Sequence, residues 1–156
     1  MRFGTFAAAA ALMLVPTAAM AQDTAAQAQN NVWRVLFGAK GVAVFVPDTI
    51  PSTGNPRSMT ILVVLLQPAP NGSDIQYIDW VVDCPTLGLE MKDGRSFLGT
   101  RFISNTRPKP MAPTEENTLD RAIANYACTG ATESGDTTRL NGDAEAVAYG
   151  KKISAE

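Results

Sequence analysis

The chain has 156 residues, with 13 lysines and arginines against 15 aspartates and glutamates, and it contains no histidine. A chain of this length forms one domain of ordinary size. The absence of histidine excludes Ser-His-Asp and Cys-His nucleophiles and every imidazole metal ligand. The cations are scattered along the chain and are not gathered into the row that nucleic-acid binding requires, so no nucleic-acid partner is expected.

The N-terminal segment is typical of a secretory signal, predicted over residues 1–21. Arg2 supplies the positive charge, an apolar run extends to Val15, and residues 19–21 (AMA) match the small-x-small site of signal peptidase. The apolar run is shorter than the ~20 residues that span a bilayer, so no membrane span is expected after cleavage. Because no cysteine follows the cleavage site, no lipid anchor is expected. These features predict a periplasmic or secreted, cell-surface protein of a bacterium.

The next part of the chain predicts a flexible leader followed by a β-rich domain. Residues 22–31 are polar and aperiodic, as in a mobile leader. Short β-type runs separated by Gly, Pro, Asn and Asp then favour consecutive antiparallel strands. Six strands are predicted, at residues 33–37, 42–46, 58–66, 75–84, 87–92 and 95–103. Asp93-Gly94 is interpreted as the hairpin turn between the last two.

A loop and a helix are predicted to follow the strands. Residues 104–113 contain three prolines and predict a loop. Thr114 is expected to cap a helix that Gly130 ends. Apolar residues recur in this helix at helical spacing, namely Leu119, Ile123, Tyr126 and Ala127. The domain is thus predicted to span residues 32–130, with residues 131–156 as a polar tail that accommodates a short second helix.

The two cysteines, Cys84 and Cys128, are predicted to form a structural disulfide. Export to an oxidising compartment and the even count favour pairing. Cys84 ends a strand on the apolar face that includes Trp80, and Cys128 ends the apolar side of the helix, so a bond between them would hold the helix on the sheet. The predicted fold class is therefore α+β: an antiparallel sheet of about six strands with a disulfide-linked C-terminal helix packed across one face.

Motifs for catalysis or for a cofactor are missing from the sequence, so a non-enzymatic protein without a cofactor, a metal ligand or catalytic residues is predicted. Asp79 and Asp83 lie four residues apart on one strand, which separates them by about 13 Å. The paired carboxylates of glycosidases are only ~5–9.5 Å apart. The two aspartates are therefore interpreted as charges on a solvated sheet face.

Three cations form the densest basic patch of the chain: Arg101, Arg107 and Lys109. They flank the predicted proline-rich loop. Two interpretations are open, because such a patch is either a docking surface for an acidic partner or a solvated loop, and loops are polar by default. The patch is the candidate partner-binding site of the sequence.

The order of these features resembles the bacterial surface-adhesin protein E family. After a strand that begins with Trp33, residues 44–50 (VFVPDTI) resemble the opening motif of that family. A charged-then-apolar strand at residues 57–66 follows, then a strand that ends in Asp83-Cys84, and finally a second cysteine at the end of a helix. The resemblance covers residues 32–128. It implies a sheet of about six antiparallel strands with the helix tied across it, and adhesion of an exposed surface to host matrix proteins.

Three functional hypotheses follow from the sequence. The first is an exported, non-enzymatic binding module of the adhesin-E type that binds a protein partner. The second is a periplasmic inhibitor of a wall-degrading hydrolase, which would present residues 51–56 or 108–113 as a protruding loop. The third is a small hydrolase that uses carboxylates, which would place two of them in one concave pocket.

Overall fold

The computed structural model describes residues 31–50, 54–132 and 135–155. The predicted signal and all but the last residue of the predicted leader lie outside the described residues. The described segments form eight strands and two helices, in the order β1 (Val32–Ala39), β2 (Val42–Pro47), β3 (Arg57–Leu65), β4 (Ile75–Asp83), β5 (Gly88–Leu98), β6 (Arg101–Thr106), β7 (Lys109–Pro113), α1 (Leu119–Thr129), β8 (Arg139–Asn141) and α2 (Asp143–Ile153).

The strands form one antiparallel sheet in the order β6-β5-β4-β3-β2-β1-β8, and β7 pairs with β5 next to β6. The antiparallel sheet, the C-terminal helix and the disulfide are confirmed, but the sheet has eight strands and not six. The loop predicted at residues 104–113 is wrong, because this segment ends β6 and forms β7. Prolines lack an amide donor, yet an edge strand needs donors on one side only, so the prolines are tolerated there.

The hairpin predicted at Asp93-Gly94 is also wrong, since β5 runs straight through both residues. The turn lies at residues 99–100, where Gly99 adopts φ +58° between the paired residues Leu98 and Arg101. Gly94 is glycine for a different reason. A Cβ placed there would lie 2.8 Å from the Cβ of Thr106 on the neighbouring strand, so Gly94 permits a close approach between β5 and β6.

One face of the sheet packs against α1. The predicted apolar row of β4 points this way, and with its neighbours it buries Leu36, Val44, Val46, Met59, Ile61, Trp80, Val82, Leu89 and Met91 against Ile123, Ala124, Tyr126 and Ala127. The helix begins later than predicted. Its cap is Thr118, whose side chain accepts from the amide of Arg121 (3.2 Å), whereas the hydroxyl of Thr114 donates to the carbonyl of Leu87.

The C-terminus of α1 is fixed to the sheet by Arg57 and by the disulfide. Gly130 ends the helix as predicted, in the left-handed conformation (φ +76°). Arg57, from β3, donates from Nη1 to the carbonyls of Ala127 (2.8 Å) and Cys128 (3.1 Å), which the helix leaves without internal partners. Cys128 is bonded to Cys84, with 5.6 Å between their Cα atoms. The predicted disulfide is therefore confirmed.

The opposite face of the sheet packs against α2, the second helix predicted in the tail. Together with β8 this helix closes a second core made of Trp33, Val35, Ala43, Phe45, Leu62, Val64, Ile75, Leu140 and Ala146. The contact is close, because a Cβ at Gly150 would lie 2.9 Å from the ring of Phe45. The polar residues 139–153 thus cover the face that α1 leaves open.

Two polar contacts anchor the ends of α2. At its N-terminus, Asp143 accepts hydrogen bonds from the indole of Trp33 and the hydroxyl of Tyr77, both at 2.8 Å. Burial and the adjacent carboxylate of Asp143 raise the pKa of Tyr77, which therefore stays protonated and remains a donor. In the last turn, the Nζ of Lys151 donates to Asp74 Oδ2 (2.8 Å) and to the carbonyl of Leu65 (2.9 Å).

Replacing both cysteines by alanine is expected to lower the free energy of unfolding by about 4 kcal/mol, because the disulfide closes a 45-residue loop (128 − 84 + 1). Urea unfolding of the oxidised protein and of the double variant measures the difference. The mass of the unreduced protein should fall about 2 Da below that of the dithiol. Equal stability of the two forms, or two free thiols in protein exported to an oxidising compartment, would contradict this account.

Acid is expected to weaken the anchor at Lys151. Burial raises the pKa of Asp74, but hydrogen bonds from Lys151 and from the amide of Gly99 outweigh this effect and hold the pKa below 3.8. A carboxylate whose pKa is lowered on folding stabilises the folded state above its unfolded pKa, and this stabilisation is lost as the pH falls through the folded pKa.

The variant Lys151→Met should therefore be less stable than the native protein near neutral pH, and the difference should shrink as the pH falls from about 6 towards about 2. Urea unfolding at several pH values measures it. Lys152→Met is the matched control, because Lys152 is the next residue of the same helical turn and is exposed. A difference that does not vary with pH, or an identical pH profile for the control, would refute the anchor.

Candidate functional site

The structure brings the three predicted cations together on one edge of the sheet. Arg101 begins β6, Lys109 begins β7, and Arg107 lies in the two-residue gap between these strands; all three are exposed. We call residues 98–113 the edge surface. The interpretation of this segment as a solvated loop is corrected by the pairing of both strands with β5. The cations therefore lie at the starts of two paired strands and in the short gap between them, and not in a long loop.

Three exposed apolar side chains share the edge surface with these cations: Leu98 (38% exposed), Phe102 (53%) and Met111 (42%). Phe102 is the most exposed of the large apolar residues in the described segments. Its ring packs edge-to-face on the ring of Phe97, with 5.7 Å between the two ring centroids. Phe97 packs on Tyr77 in the same way, also with 5.7 Å between the centroids. Tyr77 is in turn fixed by its hydrogen bond to Asp143. A row of rings thus supports an exposed aromatic side chain from beneath.

Met111 is supported in a different way, by a glycine of β5. A Cβ at Gly88 would lie 2.9 Å from the Sδ of Met111, so the missing side chain at Gly88 makes room for the thioether. Gly94 does the same for Thr106 further along β5. The two glycines let β6 and β7 lie close against β5.

The charges of the edge surface are uncompensated. Within the segments that the structure describes, Arg101, Arg107 and Lys109 make no ion pair and no side-chain hydrogen bond. Four cations elsewhere on the protein do form ion pairs, namely Arg34 and Arg139 with Asp48, Lys92 with Glu90, and Lys151 with Asp74. The edge surface is therefore a positive region on a chain whose formal net charge is −2.

Neither of the two best-formed cavities pairs carboxylates. A shallow cavity of about 440 Å³ lies over β3 and β4 and is lined by Asp79, which accepts a 2.5 Å hydrogen bond from Thr60. A second cavity, of about 420 Å³, is lined by Glu116 near the start of α1. Each holds a single carboxylate, so neither has the two acids that the hydrolase hypothesis requires.

Asp83 is engaged separately, at the end of β4. Its carboxylate accepts hydrogen bonds from Asn55 and Thr86, and these lower its pKa. Asn55 also accepts from the backbone amide of Cys84 (2.9 Å). Asp79 and Asp83 thus have different partners and do not converge, which agrees with their interpretation as separate charges of the sheet.

The loops required by the inhibitor hypothesis do not protrude where the structure describes them. Residues 108–113 contain β7, which is hydrogen-bonded to β5. Residues 51–53 lie outside the described residues, and Asn55, in the remainder of that loop, is held against the end of β4. Residues 108–113 are therefore not the protruding loop that the inhibitor hypothesis requires.

The described segments contain no group of three or more His, Cys, Asp or Glu side chains arranged to hold a metal ion. Neither α1 nor α2 is long and apolar enough to cross a bilayer.

Comparison with known proteins gives no match to any family model, to any curated protein or to any solved structure. The sequence identified the cations of the edge surface but not its apolar members. Phe102 and Met111 become part of one site only through the pairing of β6 and β7 with β5, although the run of residues 94–114 without a single acid was a readable signal.

Proposed function

We propose that the protein is an exported, non-enzymatic binding module that resembles surface-adhesin protein E and binds a protein partner at the cell envelope or cell surface. The edge surface is the binding site. One observation carries the proposal: unpaired cations and supported, exposed apolar side chains lie together on an open sheet edge. Protein-binding surfaces combine aromatic and arginine anchors in this way.

The two kinds of side chain have different roles in such a site. Exposed cations attract a partner of opposite charge and raise the rate of association. A rigid aromatic side chain contributes affinity, because it loses little conformational entropy when it is covered. Phe102 is suited to this role because Phe97 already restricts its ring.

The antiparallel sheet with its disulfide-anchored helix also supports the proposal, since the family resemblance implies both features, although with about six strands instead of eight. The separation of Asp79 from Asp83 favours a binding protein over a carboxylate hydrolase. The pairing of β7 with β5 favours it over an inhibitor that inserts residues 108–113 into an enzyme cleft.

Capture experiments with the exported full chain test the proposal. The immobilised protein is exposed separately to outer-membrane, cell-wall and host-matrix protein fractions. The variant Arg101→Gln/Arg107→Gln/Lys109→Gln is expected to lose the captured protein, because it removes the charge of the edge surface. Lys40→Gln/Arg121→Gln/Lys152→Gln is the matched control, since it removes the same charge elsewhere and should retain the captured protein.

Capture that survives the edge variant, or that both variants lose equally, would overturn the proposed site. Enrichment of a wall-degrading hydrolase whose activity the protein blocks would replace the proposal with the inhibitor hypothesis. Circular dichroism and thermal unfolding of the variants verify that each substitution leaves the fold intact, which is expected because the three edge residues are exposed.

A further inference from the structure

We propose that β6 accepts an acidic, extended segment of the partner as an additional strand of the sheet. This inference rests on the proposed function and specifies how the edge surface binds. Strand addition uses the free backbone groups of an edge for affinity and its alternate side chains for specificity.

The backbone of β6 is open to such a strand. β6 is the first strand of the sheet order, so it pairs with β5 on one side and has no strand on the other within the described residues. At the opposite edge, β8 has only three residues, and the amide of its Asn141 already donates to Glu145 of α2 (2.6 Å). The two edges are therefore not equivalent, and β6 is the one that offers a row of backbone donors and acceptors. This row has one irregularity, at Ile103, which has no register partner on β5.

The prolines restrict pairing to β6. Pro108, Pro110 and Pro113 have no amide hydrogen, so they interrupt the donors of the gap and of β7. β6 itself contains no proline, and its six residues span about 20 Å. A guest strand of similar length is expected to pair along β6 and to end beside Arg107.

Charge identifies the chemistry of the guest. Residues 94–114 contain four cations and no acid, although the whole chain carries 15 acids. A second copy of this chain paired through β6 would place its cations against the same cations, and like charges on adjacent strands repel. An acidic segment meets opposite charge at the same positions. The occupant that fits is therefore an acidic partner segment and not a second copy.

The alternation of side chains along β6 places a second requirement on the sequence of the partner segment. Successive side chains of a strand point to opposite faces, so Phe102 and Arg101 lie on opposite sides of the sheet. Phe102 extends the row formed by Tyr77 and Phe97, and its ring is about half exposed. A guest that alternates acidic and apolar residues would place apolar side chains against Phe102 and acids on the side of Arg101.

A labelled peptide of about eight residues that alternates Glu and Val is the probe. Fluorescence anisotropy with the full exported chain measures its affinity, which should fall as salt is added. The matched probe has the same sequence with an N-methyl group on every backbone amide, which removes strand pairing through either edge of the peptide and keeps the charge. Its affinity should be lower by about tenfold or more, because several backbone hydrogen bonds are lost.

Two protein variants test the predicted anchor. Phe102→Ser should lower the affinity for the unmethylated peptide by about tenfold, as loss of a central aromatic anchor does. Phe37→Ser, which alters a similarly exposed ring on β1, should leave the affinity unchanged. Equal affinity for the methylated and unmethylated peptides, or no binding of either, would overturn strand addition. A concentration-dependent dimer that Phe102→Ser abolishes would assign β6 to a second copy and would also overturn it.

The two proposals fail in different ways. If the edge variant loses the captured envelope protein but the methylated peptide binds as well as the unmethylated one, the proposed function stands and strand addition is wrong. If capture survives the edge variant, the proposed function fails whatever the peptides do.

Discussion

The structure depends on covering both faces of a single apolar sheet. A sheet of this composition exposes two apolar surfaces, and each must be buried for the domain to be stable. The Cys84–Cys128 disulfide and Arg57 hold α1 on one face. Asp143 and Lys151 hold α2 on the other. Because each helix is attached by long-range contacts, the two faces are closed.

Once the faces are covered, the open β6 edge is the place where the protein can form regular backbone contacts with another chain. Edge strands are normally protected because they promote aggregation. Here the protection is chemical, since prolines interrupt β7 and cations oppose pairing between copies. In the proposed mode of binding, the same cations that oppose pairing between copies select an acidic partner.

The sequence was sufficient to predict interactions that depend on residue type and period. The disulfide was predicted from the expected export and from the position of each cysteine at the end of an apolar face. The division of β4 into two faces followed from its alternation. The cations of the edge surface were identified as a cluster because they are close along the chain.

The predictions from sequence were wrong where one residue type is used for two different structural reasons. Glycine marks either a turn or a close approach, and at Gly94 the second cause applies because Thr106 lies against it. Proline argues against a central strand but not against an edge strand, which local sequence cannot distinguish. Thr114 was predicted to cap α1, but its hydroxyl donates a hydrogen bond to the carbonyl of Leu87 instead, and Thr118 caps the helix. The number of strands and the apolar residues of the edge surface could therefore be identified only from the strand pairing in the structure.

Backbone hydrogen exchange of the full chain, measured with and without its captured envelope partner, tests the central claim most directly. The account predicts that the amides of residues 101–106 become protected in the complex, because the β6 edge is where the partner binds. Protection that leaves β6 unchanged and is confined instead to the cavity around Thr60 and Asp79 would contradict it.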